Sequence, residues 1–312
     1  MTTYETIVVR PLTANIGAEI EGLDLSKPLD NRQSEELYRA FLEHHVVFLR
    51  GQDMTPEQHM TAGRLFGEIC GIPFVKSVEG YPEIVEIVKE AEERKTYNFG
   101  GNWHTDMTFL EEPAKASVLY GLEVPPAGGD TKFAATAAAY DALSPRMQEI
   151  LESLTGIHTG GRSYGKSGKF AGSKTSTKSM QIDASDDADA EIEHPIVRVH
   201  PETGRKALYV NPNYTLRIKD LAEDESAAIL NFLYAHMVRD EFTCRFQWTP
   251  GAVAIWDNRV TMHRAINDYD GARRVMHRVT IGGDRPVAAA ASAINVLKSP
   301  DAAETARSSC TL

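Results

Sequence analysis

Cysteine is scarce: Cys70, Cys244 and Cys310 are the only three in 312 residues, far apart and in no paired motif. That excludes a disulfide framework and points to a reducing compartment. No stretch is apolar for long enough to cross a bilayer as a helix. Residues 1–12 lack a basic flank followed by an apolar run, so no secretory signal is expected and the cytoplasm is the expected location. Positive charge is in the minority too, with 33 Lys and Arg against 44 Asp and Glu. The resulting net charge of −11 argues against nucleic acid or an anionic membrane as a partner. A small organic anion would need a local cationic pocket. A homo-oligomer is expected.

What is present reads as many short strands with a few helices over them. Apolar runs at 46–49, 84–88, 116–124, 242–248, 252–256 and 274–282 are each bounded by turn residues. Helices are expected at 32–44, after the cap Thr55-Pro56-Glu57-Gln58, after Ser144-Pro145 and at 221–237. The runs at 194–199 and 206–210 form a hairpin through Pro201-Glu202-Thr203-Gly204. Between 160 and 193 the apolar rhythm fails, first in Gly, Ser and Lys and then in acidic residues, which suggests a lid or insertion. Beyond Pro286 the Ala/Ser-rich tail, 287–312, has little to bury. The expectation is one mainly β domain over 1–286 with flanking helices, nearer a sandwich or jelly roll than an alternating βαβ fold.

Two motifs mislead. Gly160-Gly161-Arg162-Ser163-Tyr164-Gly165-Lys166-Ser167 fits the phosphate-loop pattern, but a helix is expected before it and none opens at the Lys. His200-Pro201-Glu202 sits on a turn, where side-chain direction is poorly fixed. A third motif carries more. Asn102-Trp103-His104-Thr105-Asp106-Met107-Thr108-Phe109 suits an extended strand, which would aim His104 and Asp106 to one face as adjacent metal ligands. A later His would complete a set that leaves three positions open on an octahedral ion. Trp256-Asp257-Asn258-Arg259 leads to His263, and in Arg274-Val275-Met276-His277-Arg278 alternation puts both arginines on one face. That face is either solvated or a cavity wall binding carboxylate or sulfonate by forked hydrogen bonds. His277, on the opposite face, reads as structural.

Taken together, Asn-Trp-His-Thr-Asp-x-Thr-Phe, then Gly128-Gly129-Asp130-Thr131, then Trp-Asp-Asn-Arg, His263 and Arg-Arg-x-Met-His-Arg resemble the taurine dioxygenase family of iron(II)/2-oxoglutarate-dependent oxygenases, in order and spacing, from about residue 7 to 286. The resemblance implies a double-stranded β-helix (jelly roll), with Fe(II), 2-oxoglutarate as co-substrate and O2. It matches His104, Asp106 and His263 to the iron ligands, Thr131 and Arg274 to the distal carboxylate of 2-oxoglutarate, and Arg278 to the substrate's anionic end. It implies hydroxylation of a small anionic organic substrate beside a heteroatom, with release of succinate and CO2. Where taurine users carry a His and a Tyr, this chain has Ile72 and Val75, and other segments look like the aryloxyalkanoate-cleaving branch. By position, Ser163, Tyr164 and Tyr214 would join that substrate pocket. Taurine, alkylsulfonate or alkyl sulfate oxidation is the alternative. A metal-binding jelly roll without redox chemistry and a zinc hydrolase are more distant rivals.

Overall fold

A computed structural model describes residues 3–93, 99–171, 179–180 and 182–289. Its centre is a nine-stranded, largely antiparallel sheet in which Val46–Leu49, Val253–Asp257, Ala116–Glu123, Arg274–Ile281 and Tyr81–Lys89 lie side by side. A three-stranded sheet, Thr243–Phe246, Thr131–Ala135 and Thr261–Ala265, faces it. The two-residue period of these strands sorts their side chains into two cores. Val47, Leu49, Val118, Val253, Ile255, Val279 and Ile281 point outward and pack under helices Asn31–His44 and Pro56–Arg64 through Leu37, Phe41 and Met60. Their alternates Val46, Phe48, Leu119, Ala254, Trp256 and Met276 point inward against Phe133, Phe246 and Met262 of the small sheet. Each such large side chain contributes about 1.5–3 kcal/mol by leaving water. The mainly β jelly roll expected from the sequence is the fold found.

Both N-terminal helices begin at reciprocal caps, Asp30 with Gln33 and Thr55 with Gln58. Glu36 ties the first helix to the chain start. Its carboxylate accepts from the amides of Glu5 and Thr6, both at 2.9 Å, and from the Thr6 hydroxyl at 2.8 Å. Burial would raise its pKa, but these bonds and Arg32 outweigh that and bring it from 4.5 down to about 2. A depressed carboxylate stabilises the fold above its unfolded pKa and loses that contribution as pH falls toward the folded value. Glu36→Gln is therefore expected to lower the denaturation midpoint near neutral pH. The gap from wild type should narrow steadily below about pH 4.5, a window set by the two values just given.

Three sequence expectations change. The phosphate-loop pattern follows a strand, Thr155–Thr159, where a helix was expected, and contains a four-residue helix, Gly161–Tyr164, that ends before Lys166; no helix opens at the lysine, which pairs with Asp186. The run at 194–199 is split, because Glu191–Pro195 pairs with Thr155–Thr159 while Val197–Val199 pairs with Lys206–Leu208. Val287–Ala288 is not tail but an edge strand on Val197–Val199, so β pairing passes the expected boundary at 286. Positions 172–178 and 181 of the expected lid, and 290–312 of the tail, lie outside the described residues. Among the described residues, no helix is long and apolar enough to cross a membrane.

Candidate active site

The small sheet sets the first contributions. Thr261–Ala265 pairs with Thr131–Ala135 so that His263 lies opposite Phe133 and Ala265 opposite Thr131. Residues opposite one another and two apart share a face, so His263 and Thr131 both point at the large sheet. His104 joins through a two-bond bridge, its amide 3.0 Å from the His263 carbonyl and the His263 amide 2.8 Å from its own. The strand expected over 102–109 stops there. The Thr105 hydroxyl donates to the Thr261 carbonyl at 2.8 Å, the Asp106 amide donates to Asn258 Oδ1 at 3.3 Å, and Met107 turns the chain with φ of 56°. His104 and Asp106 thus meet through a turn, not through pleat alternation.

One donor atom each from His104, Asp106 and His263 lies within 4.8 Å of the other two, and all three residues are buried. His104 Nε2 is 3.7 Å from Asp106 Oδ1, and His263 Nε2 is 3.9 Å from Asp106 Oδ2. The Asn102 carbonyl, 2.8 Å from His104 Nδ1, accepts a hydrogen bond from the N–H there, which leaves the Nε2 lone pair facing the cluster. Burial pushes both imidazoles toward the neutral form that can ligate, with His263 pushed furthest. Burial alone would raise the Asp106 pKa, yet it is held well below the usual carboxylate range, first by the charge of Arg278 and also by the hydrogen bond from Ser117. Arg278 Nη1 donates to Oδ1 at 3.0 Å and the Ser117 hydroxyl to Oδ2 at 2.8 Å. Asn258 supports this arrangement by donating to Ser117 Oγ at 3.1 Å and accepting from Trp256 Nε1 at 2.9 Å. Two neutral imidazoles and one ionised carboxylate form a donor set suited to a divalent ion with open positions.

Two cavities meet at His104 and Gly100. One, of about 400 Å³ including its open mouth, is lined by Thr131, Arg274, Arg278, Leu119 and Trp256 as well as His263. The other, of about 340 Å³ on the same measure, is lined by Asp106, Tyr164, Lys169, Phe170 and Tyr214. Gly100 has φ of +73°, and a Cβ there would stand 3.4 Å from His104 Cε1, so the chain passes close to the imidazole. Ile72 and Val75 belong to the apolar cluster that contains Tyr164 and Tyr214 but line neither cavity. Ser163 is buried next to Tyr164 in sequence, its carbonyl accepting from the Phe170 amide at 3.1 Å, but it lines neither cavity. Lys169 and Phe170 come from the Gly/Ser/Lys-rich stretch, where no periodicity marked them.

Arg274 is 3% exposed, yet its Nε and Nη2 have no acceptor. Trp248 lies near its guanidinium and also donates to Thr131 Oγ1 at 3.0 Å. A guanidinium with unused donors at the end of a cavity that begins at the histidines is a fitting anchor for a carboxylate several atoms long.

The model of the taurine catabolism dioxygenase TauD, TfdA family matches residues 9–280. The chain belongs to that family. Relatives include the alpha-ketoglutarate-dependent sulfate ester dioxygenase of Pseudomonas putida, 36% identical over 89% of this chain and 90% of its own length. The alpha-ketoglutarate-dependent 2,4-dichlorophenoxyacetate dioxygenase of Cupriavidus pinatubonensis is 31% identical over 90% of this chain and all of its own. A taurine dioxygenase structure from Burkholderia xenovorans superposes with a TM-score of 0.77 at 36% identity, covering 91% of this chain and 94% of that one. This member of the TauD, TfdA family is accordingly an iron(II)- and 2-oxoglutarate-dependent dioxygenase that consumes O2.

Proposed function

We propose that this dioxygenase hydroxylates a small organic anion with an apolar body at the carbon beside a heteroatom, and that His104, Asp106 and His263 hold its iron. Arg274 and Thr131 take the distal carboxylate of 2-oxoglutarate, and Arg278 takes the substrate's anionic group. With iron bound, the site supplies oxidation of 2-oxoglutarate to succinate and CO2, coupled to insertion of one oxygen atom into a substrate C–H bond. The residues' own work is to bind and orient. Tyr164, Tyr214 and Phe170 give the second cavity aromatic walls, with Ile72 and Val75 in the same apolar cluster, while Lys169 gives it positive charge. That combination of a cationic side and apolar walls is the observation that carries the reading. It suits an aryl or alkyl chain better than the short polar body of taurine.

The hydroxylated carbon, bearing an ether or ester oxygen, collapses to a carbonyl and expels that oxygen with its substituent. An aryloxyalkanoate would release a phenol. A second reading, an alkyl sulfate ester releasing sulfate, is favoured by the higher identity to the sulfate ester dioxygenase, 36% against 31%. The test is an aerobic screen of iron-loaded protein with 2-oxoglutarate and ascorbate against aryloxyalkanoates, alkyl sulfates and taurine. Succinate should appear in step with phenol or sulfate, and taurine should be the poorest substrate. Intact, iron-loaded protein that forms no succinate, even slowly without substrate, would overturn the assignment of the site. Anaerobic addition of 2-oxoglutarate to the iron form should also give a visible charge-transfer band, which a zinc hydrolase would lack.

A further inference from the structure

Asn211 has no part in the site described so far, yet it is buried and both heteroatoms of its side chain are bonded. Asn followed by Pro212 suits the first two positions of a β-turn, and a turn spans 212–214. Asn211 Oδ1 accepts from the amides of Asn213 at 3.2 Å and Tyr214 at 2.8 Å, so the side chain closes the turn over the proline. The Asn211 amide donates to the Thr215 hydroxyl at 2.9 Å, and its carbonyl accepts from the Thr215 amide at 3.0 Å. The Tyr214 carbonyl accepts from the Thr159 amide at 2.9 Å. These bonds fix the backbone from which the Tyr214 ring projects.

The other side-chain atom reaches the segment that carries the clustered donors. Asn211 Nδ2 donates to Thr108 Oγ1 at 3.1 Å, and Thr108, also buried, stands two residues beyond Asp106. At the other end of that segment, Asn102 Nδ2 donates to Asn213 Oδ1 at 3.4 Å, two residues before His104. The turn thus holds the His104–Asp106 stretch from both sides. Tyr214, its last residue, meets His104 edge to face with ring centroids 6.3 Å apart, and lines the second cavity together with Asp106. We infer that Asn211 is a positioning residue: through Thr108 it sets the Tyr214 wall against the proposed iron ligands, and so fixes where the organic substrate stands relative to them. This rests on the reading of the second cavity as the substrate's. An aspartate would accept the same two amides but could not donate to Thr108, so the carboxamide is what joins turn to ligand segment.

The test uses the full chain, iron-loaded, with 2-oxoglutarate under argon. The visible charge-transfer band reports 2-oxoglutarate binding, and its shift on adding phenoxyacetate or octyl sulfate reports filling of the second cavity. Asn211→Ala should weaken the tighter of these two probes about tenfold, as loss of a buried hydrogen bond dictates, and leave the dissociation constant of 2-oxoglutarate within about twofold of wild type. Thr108→Val cuts the link but spares the turn's own bonds; it should have the same effect, and it carries the test if Asn211→Ala does not fold. In a Tyr214→Ala background neither change should weaken the probe further, because both act through that ring. Equal weakening of probe and 2-oxoglutarate, or a full further loss in the Tyr214→Ala background, would show that Asn211 only holds the fold together and would overturn the positioning role. Tyr214→Ala protein that binds the probe like wild type, or a wild-type band that neither probe shifts, would instead overturn the reading of the second cavity and this inference with it.

Discussion

Asp106→Ala is expected to abolish both iron binding and turnover, and to destabilise the metal-free protein as well. Loss of the only carboxylate among the three clustered donors should leave activity below about 0.1% of wild type, equivalent to roughly 4 kcal/mol of lost transition-state stabilisation. The stability effect has a separate cause. Asp106 is buried and accepts from Arg278 at 3.0 Å, so removing it strands a buried guanidinium. Breaking a buried pair on one side typically costs about 3–5 kcal/mol. His104→Ala is the control: it removes a proposed ligand of equal rank but no charge partner of Arg278. It should lose iron and activity alike while keeping the metal-free melting temperature much closer to wild type. Iron content by metal analysis, succinate release and thermal melts of the chelator-treated protein read the three effects. Equal melting temperatures for the two variants would show that the Arg278 contact does not support the empty site.

This site was legible in the sequence to the extent that single strands build it. Arg274 and Arg278 fall four apart in a strand whose other face is Val275, Val279 and Ile281, and period two alone puts the arginines on one face, which the fold turns inward. The two-core division of the sandwich follows from the same period. His104 and Asp106 do come together, but through a bridge and a turn in place of the expected strand. Nothing local announces that turn, because it is held by Thr261 and Asn258, more than 150 residues away. Ser117 was invisible for the same cause: it reads as one polar residue in an apolar strand until the fold places it under Asp106. Lys169 and Phe170 lie where neither period applies, and only tertiary placement brings them to a cavity.

The two arginines of strand Arg274–Ile281 should respond to removal in opposite ways. Arg274 is buried with Nε and Nη2 unused, so in the ligand-free protein it is a desolvated cation awaiting an anion. Burial already pushes its pKa down, opposed mainly by Tyr269. Arg274→Met keeps the apolar stem and removes the uncompensated charge. It should leave the ligand-free melting temperature unchanged or raised, while raising the KM for 2-oxoglutarate about a hundredfold, in keeping with two lost charge-assisted hydrogen bonds. Arg278→Met does the reverse. Asp106 loses a partner that holds its carboxylate ionised, so the empty protein should melt lower, and the effect on KM should fall on the organic substrate more than on 2-oxoglutarate. Arg278 can serve both purposes because its contact to Asp106 uses Nη1, while its Nε has no partner. Steady-state kinetics varying each co-substrate in turn, with melts of the ligand-free variants, separate the four outcomes. If both substitutions shifted both KM values equally and moved the melting temperature in the same direction, the division of labour between the two guanidiniums would be wrong.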